Sequence, residues 1–136
     1  MQDKSFNLEV VTPRKVVFKG EVMSFSAPGV LGGFQVLYNH APLLSALQAG
    51  EVKFTSADGA QGRYATSGGF VEVKENHVVM LAETAERSDE IDVERAKTAQ
   101  ERARKRLEEK KPDIDFERVR TALARAMNRL RIAQRP

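Results

Sequence analysis

A heptad repeat near the end of the chain constrains its fold more than any other feature. Leucine, phenylalanine, valine and alanine recur at two positions of this repeat: Phe116, Leu123 and Leu130 at the first, and Val119, Ala126 and Ala133 at the second. Upstream, small residues recur with helical spacing, followed by a leucine: Ala96, Ala99, Ala103 and Leu107. The basic and proline-containing residues 110–113 separate the two stretches. The pattern predicts an antiparallel hairpin of two helices in residues 87–136. Its narrow apolar seam makes the pair only marginally stable alone, and so able to come apart.

The preceding part of the chain shows the alternation of β-strands. Short alternating runs are separated by glycine, asparagine, aspartate and proline. We expect strands at residues 6–11, 15–19, 21–27, 33–37, 43–48, 51–55, 63–67, 70–74 and 77–81. Many short strands with regular turns predict a β-sandwich or flattened barrel in residues 1–86, and not a sheet built from βαβ units.

Composition excludes several classes of function. The 136 residues contain no run of eighteen apolar residues, and the N-terminus lacks the pattern of a secretory signal. Cysteine is absent, so disulfides and thiolate metal sites are excluded. His40 and His77 are too far apart for their spacing to indicate a metal site. The sequence shows no nucleophile with a base and no paired acids, so we expect neither a metal centre nor an enzyme.

The net charge of +3 conceals an asymmetry between the two parts of the chain. Residues 1–86 hold 7 lysines and arginines against 9 acidic residues, whereas residues 87–136 hold 15 against 10. A basic hairpin suits an acidic protein surface, a phosphorylated small molecule or a nucleic acid. Nucleic acid fits least well, because acidic residues interleave with the arginines and the hairpin's one aromatic residue lies in its seam.

Four arginines of the hairpin have a spacing that brings them together. Arg95 and Arg102 are seven apart on the first helix, and Arg125 and Arg129 are four apart on the second. If the chain reverses near Pro112, Arg95 and Arg129 lie level. At about 6 Å and an effective dielectric near 20, each close pair repels by roughly 2–3 kcal/mol, less if well solvated. A triphosphate would turn this repulsion into charge-assisted hydrogen bonds. The alternative is an ordinary solvated basic face, with Asp92 and Arg95 forming a simple ion pair.

Two local features complete the sequence-based predictions. Ser88 or Asp89 is a natural N-cap for the first helix. His40 lies in a turn that leads into an apolar segment. It either bonds nearby backbone, as turn histidines commonly do, or marks a docking surface together with Pro42.

Four stretches taken together resemble a known family, the epsilon subunit of bacterial F-type ATP synthases. They are Asn39-His40-Ala41-Pro42-Leu43-Leu44, Ser67-Gly68-Gly69-Phe70-Val71-Glu72-Val73, Leu81-Ala82-Glu83-Thr84-Ala85 and Arg125-Ala126-Met127-Asn128-Arg129-Leu130. The resemblance covers nearly the whole chain and implies an α+β fold, a ten-stranded antiparallel β-sandwich followed by the two-helix hairpin. Gln35 and Tyr38 depart from it, because the family usually has glycine and proline there; this affects the shape of the loop around His40.

The resemblance also implies a site for ATP. ATP-binding members of the family carry Ile/Leu-Asp-x-x-Arg-Ala at the start of the first helix, which Ile91, Asp92, Arg95 and Ala96 match. The remaining positions that resemble the ligands of that group are Glu86, Arg102, Arg125 and Arg129. We expect Ile91 and Ala96 to give apolar contact, Asp92 to accept from base or ribose or to orient Arg95, and the arginines to hold the phosphates. Nothing here activates water, so we expect ATP to be bound and not hydrolysed; whether Mg²⁺ helps or hinders is left open.

The family resemblance implies a role and partners. The sandwich would bind the gamma subunit and rest on the ring of c subunits, with the loop of His40 and Pro42 facing the rotor. The hairpin would lie folded when ATP is abundant, and otherwise extend towards the alpha and beta subunits and inhibit ATP hydrolysis. Such a chain would be peripheral, at the cytoplasmic face of the bacterial cell membrane. The alternatives are a static clamp of the rotor that binds no nucleotide, and a free-standing nucleic-acid-binding module.

Overall fold

The chain forms two compact units, with the boundary between Arg87 and Ser88, in a computed structural model that describes residues 4–109 and 111–134. The first unit is built of strands and the second of helices. The strands of the described part are β1 Phe6–Val11, β2 Val16–Gly29, β3 Gly32–Val36, β4 Leu43–Leu47, β5 Gly50–Ser56, β6 Gln61–Thr66, β7 Gly69–Lys74, β8 His77–Ala82 and β9 Ala85–Arg87.

The long strand β2 organises the first unit. The order of the strands is β1-β8-β7-β4-β2-β5-β6-β9, and β3 also pairs with β2. The first half of β2 pairs with β1, and its second half pairs with β3, β5 and, at Gly29, with β4. Because β2 pairs with both β1 and β4, strands β1, β8, β7, β4 and β2 close a ring of hydrogen-bonded strands. The sequence-based prediction of a β-sandwich or flattened barrel is confirmed.

The core of this unit is apolar and continuous. The side chains of Phe6, Leu8, Phe25 and Met80 are at most 2% exposed. They come from β1, β2 and β8, and along β1 the buried side chains alternate with exposed or half-buried ones. Burying side chains of this size stabilises the fold by about 1.5–3 kcal/mol each. The two faces of each strand are thereby fixed, since a slip of one residue would expose the core side chains.

Two details of the predicted sandwich are corrected. The described residues form nine strands and not the ten that the family resemblance implies. The two runs predicted on either side of Gly20 are one strand, because Gly20 lies opposite Leu8 and its backbone continues the pairing with β1. The sandwich is also not wholly antiparallel, since β1 and β8 pair in parallel. In addition, the short strand β9 continues the sheet beyond the last predicted run and pairs with β6.

The second unit contains a 3₁₀ turn, Ser88–Glu90, and two helices, α1 Val93–Glu109 and α2 Phe116–Gln134. The helices pack against each other, and the 3₁₀ turn lies against α2. A connection of six residues between contacting helices makes them antiparallel, as predicted. None of the helices described here is long and apolar enough to cross a membrane.

The N-cap of α1 is Asp92, so the prediction of Ser88 or Asp89 was wrong. The side chain of Asp92 accepts a hydrogen bond from the backbone N–H of Arg95 at 3.0 Å. Ser88 and Asp89 are instead part of the 3₁₀ turn, and Ile91 separates that turn from the helix. Asp115 caps α2 in the same way, accepting from the N–H of Arg118 at 3.2 Å.

The predicted seam lies between the helices only in part. Ala96 and Ala103 of α1 are buried, and so are Val119, Ala126 and Leu130 of α2. The helix ends depart from the prediction. Phe116 is 37% exposed at the first position of α2, whereas Asn128 and Ile132, which lie outside the heptad positions, are buried. The buried surface of α2 therefore widens near its C-terminal end.

Candidate functional site

The start of α1 brings the motif residues together through helix capping. The carboxylate of Asp92 holds the N–H of Arg95, and its backbone carbonyl accepts from the N–H of Ala96 at 3.0 Å. Asp92 thus orients the backbone of Arg95 and not its guanidinium group. Its second carboxylate oxygen stands at an exposed position next to the positive end of the helix dipole. An anion can be bound in this neighbourhood, but the cap by itself already explains an aspartate here.

The four arginines share one side of the hairpin. Each directly precedes a buried seam residue: Arg95 precedes Ala96, Arg102 precedes Ala103, Arg125 precedes Ala126, and Arg129 precedes Leu130. One step along an α-helix is a rotation of about 100°. In two antiparallel helices that face each other, the position before a seam residue therefore falls on the same side of the pair. We call this side, defined by these four residues, the arginine flank.

Helix geometry also sets the heights of the four residues. Arg95 lies 14 residues before the end of α1, and Arg129 lies 13 residues after the start of α2, so the two stand nearly level. Arg102 and Arg125 lie 7 and 9 residues from the same helix ends. At a rise of 1.5 Å per residue, the flank spans about 10 Å along the hairpin. This length suits a chain of phosphates more than a single carboxylate.

The arginine flank differs from the opposite side in its partners. Within the described residues, the side chains of Arg95, Arg102 and Arg125 form no hydrogen bond or ion pair, and they are exposed. In contrast, Arg104 pairs with Glu101 at 3.6 Å, on the other side of Ala103. Unpartnered guanidinium groups on one side are available to an anionic ligand, whereas the paired ones already have a neutralising neighbour.

The other predicted ATP-site residues lie in different surroundings. Ile91 is 7% exposed, and Ala96 is fully buried in the seam, where its small side chain lets the helices approach. Glu86 lies on β9 in the first unit, opposite Ala65 of β6. The second unit therefore contains seven of the eight predicted ATP-binding residues, all except Glu86.

The loop between β3 and β4, residues 37–42, carries the two predicted docking residues. His40 donates from Nδ1 to the carbonyl oxygen of Ala41 at 2.6 Å, so the prediction that it bonds nearby backbone is confirmed. Its N–H donates to the carbonyl of Leu37 at 3.2 Å and closes a turn. Pro42 is exposed, and Leu37 and Tyr38 are 52% and 41% exposed. Large apolar side chains at the surface of a loop are typical of a docking surface.

An exposed apolar patch that sequence reasoning missed lies on the outer face of the sheet. Phe70 of β7 is opposite Leu81 of β8, and both are more than half exposed. Leu44 of β4, on the neighbouring strand, is 73% exposed. The sequence did contain a signal for this patch, namely consecutive apolar residues in β7 and β8. A strand with one face towards solvent normally has polar residues on that face, so apolar residues on both faces indicate an exposed apolar surface.

The described residues hold no group of three or more histidine, cysteine, aspartate or glutamate side chains that could bind a metal ion. The arginines and Asp92 offer charge and hydrogen bonds at this site. Such an arrangement can bind an anion.

Comparison with known proteins places both units in one family. The beta-sandwich domain of the ATP synthase delta/epsilon chain matches residues 5–88, and its long alpha-helix domain matches residues 89–134. The ATP synthase epsilon chain of Syntrophomonas wolfei is 48% identical over 108 residues, 79% of each chain. That of Moorella thermoacetica is 51% identical over 106 residues, 78% of this chain and 79% of the relative.

Solved structures share the fold at lower identity. A chain of the Euglena gracilis mitochondrial ATP synthase, in a complex of OSCP, F1 and c-ring, matches with a TM-score of 0.78 and 23% identity. The match covers 90% of this chain and 78% of that one. A chain from the central stalk and c-ring of the Tetrahymena thermophila enzyme matches with a TM-score of 0.59 and 14% identity, over 98% and 96% of the two chains.

Proposed function

The chain belongs to the delta/epsilon chain family of ATP synthase, and from this premise we propose that it regulates the enzyme through a hairpin that binds ATP. Epsilon chains are non-catalytic subunits, so the role concerns coupling and control. One observation supports ATP as the ligand above all others. Four arginines stand on one side of an antiparallel hairpin, and the side chains of three of them have no partner among the described residues.

In this proposal ATP holds the two helices together. The phosphates lie along the arginine flank and neutralise it, and the free oxygen of Asp92 accepts a hydrogen bond from the base or ribose. The flank exists only while α1 and α2 face each other, so the ligand binds the paired helices and not the separated ones. A ligand with this preference stabilises the paired state by RT ln(1 + [ATP]/Kd), which is about 2.7 kcal/mol at a hundredfold excess over Kd. ATP is bound and not hydrolysed, because no group here activates water.

The subunit responds to the supply of ATP. When ATP is abundant, the hairpin stays folded and hydrolysis proceeds. When ATP is scarce, the helices separate and extend, and their basic side chains meet the alpha and beta subunits and inhibit hydrolysis. The narrow seam supports this step, since both buried side chains of α1, Ala96 and Ala103, are alanines that contribute little apolar area.

The sandwich attaches the subunit to the rotor. The apolar patch of Leu44, Phe70 and Leu81 is proposed to face the gamma subunit, and the loop with His40 and Pro42 to face the c-ring. Both carry exposed apolar side chains that water disfavours and a partner would cover. The protein would accordingly lie at the cytoplasmic face of the cell membrane, as a peripheral part of the complex.

Calorimetric titration of the full chain with ATP tests the proposal. Arg102 and Arg104 form a matched pair, because they flank the same buried residue, Ala103, on opposite sides. We expect Arg102→Ala to weaken ATP binding about tenfold or more, the worth of one hydrogen bond to a charged group, and Arg104→Ala to leave it unchanged. The double variant Asp92→Ala/Arg95→Ala should abolish binding in the concentration range of the titration. Equal losses in the two matched variants would indicate general electrostatic attraction and no site.

A second candidate function is a static clamp of the rotor without nucleotide binding. The cap formed by Asp92 favours it, since capping explains the aspartate of the motif without a ligand. No heat of binding at millimolar ATP, together with normal incorporation into the enzyme, would establish the clamp and exclude the ATP-dependent control.

A further inference from the structure

Two asparagines join loops that are 37 residues apart in the sequence. The backbone N–H of Asn39 donates to Oδ1 of Asn76 at 2.6 Å, and Nδ2 of Asn76 donates to Oδ1 of Asn39 at 3.0 Å. Asn39 belongs to the β3–β4 loop, whereas Asn76 belongs to the tight turn between β7 and β8. The carbonyl oxygen of Asn76 also accepts from the N–H of Asn7 at 3.0 Å. We call the pair of side-chain bonds the asparagine bridge.

Both asparagines have a backbone conformation that few side chains adopt. The φ angles of Asn39 and Asn76 are 63° and 58°, in the left-handed region that favours glycine and, next to it, asparagine. Glu75 shares this conformation with a φ of 51°, and Lys74 pairs with His77, as in a two-residue hairpin turn. The turn is therefore sharply defined, and the amide of Asn76 is held by a rigid hairpin.

The β3–β4 loop has little else to fix its shape. Its turn is closed by one backbone bond, from His40 to Leu37, at 3.2 Å. The loop's only proline is Pro42, at the end of the loop, so no proline ring fixes φ at residues 37–41. An outside contact on Asn39, next to His40, supplies the missing restraint.

We infer that Asn76 is a positioning residue for the rotor-docking loop, residues 37–42, acting through the asparagine bridge. This inference rests on the proposed function, which takes that loop as the surface facing the rotor. Asn76 itself contributes no docking contact. It holds the backbone of Asn39, and thereby fixes the direction in which His40 and its exposed neighbours are presented.

The test uses glycine, which keeps the left-handed conformation and removes only the side chain. In Asn76→Gly the turn remains favourable but the bridge is lost. Glu75→Gly is the matched control, since it makes the same change at the neighbouring residue without touching the bridge. Asn76→Asp keeps the oxygen that accepts from the Asn39 N–H and loses the donor, so it should have an intermediate effect.

Two measurements are made on the full chain. Amide hydrogen exchange reports the protection of the Asn39 N–H, and binding to ATP synthase complexes stripped of this subunit reports docking. We expect Asn76→Gly to accelerate exchange at Asn39 and to weaken docking about five- to tenfold, while Glu75→Gly changes neither. Asn39→Gly combined with Asn76→Gly should weaken docking no further than Asn76→Gly alone, because Asn76→Gly already removes both bonds, whereas Asn39→Gly leaves the backbone N–H of residue 39 bonded to Asn76.

Unchanged docking in Asn76→Gly would overturn the inference, whether or not exchange at Asn39 is accelerated. Equal weakening in Glu75→Gly would also overturn it, because the turn and not the bridge would then matter. Failure of the unmodified chain to bind the stripped complexes is a different result. It would overturn the proposed docking function, and the positioning role with it, before any variant is compared.

Discussion

Removing the two helix caps one at a time separates capping from ligand binding. Asp92 and Asp115 begin α1 and α2 with the same geometry: each side chain accepts from the N–H three residues on, at 3.0 and 3.2 Å. Each backbone carbonyl also accepts the first bond of its helix, at 3.0 and 3.1 Å. Both residues are exposed. Asp92→Ala and Asp115→Ala therefore remove equivalent caps, but only Asp92 is proposed to contact ATP.

The expected magnitudes follow from this equivalence. Losing either cap costs about 1 kcal/mol of hairpin stability, because one N–H at the start of a helix loses its partner. ATP at a hundredfold excess over Kd adds about 2.7 kcal/mol to the unmodified chain and to Asp115→Ala. Asp92→Ala also removes the proposed hydrogen bond between ATP and the Asp92 carboxylate. A hydrogen bond to a charged group is worth about 1.5–3 kcal/mol, so most of the stabilisation by ATP disappears.

Circular dichroism at the helix band, followed through thermal unfolding with and without ATP, measures both effects on the same samples. Without ATP the two variants should melt at similar, lowered temperatures. With ATP, Asp115→Ala should recover the full shift of the unmodified chain, and Asp92→Ala should recover little. If Asp115→Ala lost its response to ATP as completely as Asp92→Ala, the carboxylate at position 92 would act only through helix stability. The ligand role assigned to it would be refuted.

Three further predictions concern the fold. Gly69→Ala should prevent stable folding, because φ is 148° and a Cβ would collide with the backbone oxygen of Leu81. Gly59→Ala, in open space at a φ of 93°, should cost only about 1 kcal/mol in urea unfolding. Ile132→Ala should lower the stability of the folded chain by about 2–5 kcal/mol in urea unfolding followed at the helix band, since Ile132 is 0% exposed. The Ser56 hydroxyl donates to Asp58 and holds the pKa of that carboxyl below its ordinary value. The stability that the ionised Asp58 carboxylate contributes is thus present above the ordinary aspartate pKa and is lost as pH falls through the lowered pKa. In Asp58→Asn, the free energy of unfolding should therefore fall less steeply when the solution is acidified.

Alternation of apolar residues was sufficient to predict most of the strands. β1 runs from Phe6 to Val11 as the pattern indicated. The other eight predicted runs correspond to strands within one or two residues at each end, or to part of β2. Gly20 was misleading, because glycine weakens a strand but does not end it when the partner strand continues alongside. Strand β9 could not be predicted, since three residues carry no period. The parallel pairing of β1 with β8 depends on contacts between distant segments, which local pattern does not contain.

For the hairpin, the heptad repeat predicted the seam at its centre and not at its ends. Phe116 is the first residue of α2 and is partly exposed there, whereas Ile132 is buried on a face that the repeat does not describe. The spacing of the four arginines predicts that they lie on one side of the hairpin. Their positions in the structure agree with this, because the residue that follows each arginine is buried in the seam. The cap at Asp92 was missed because Ser88 and Asp89 are residue types that cap helices equally well. Only the structure shows that Ser88 and Asp89 lie in a 3₁₀ turn that precedes the helix.

Because β2 is hydrogen-bonded to β1, β3, β4 and β5, its fourteen residues belong to nearly every part of the sandwich at once. Strands β7 and β8 complete a closed ring with β1, β2 and β4, so we expect these five strands to open together, whereas β6 and β9 are attached only through β5. A load applied to any strand of this ring is thus shared by all five. If the subunit is mounted on the rotor as proposed above, such a ring would transmit torque without opening at one strand pair.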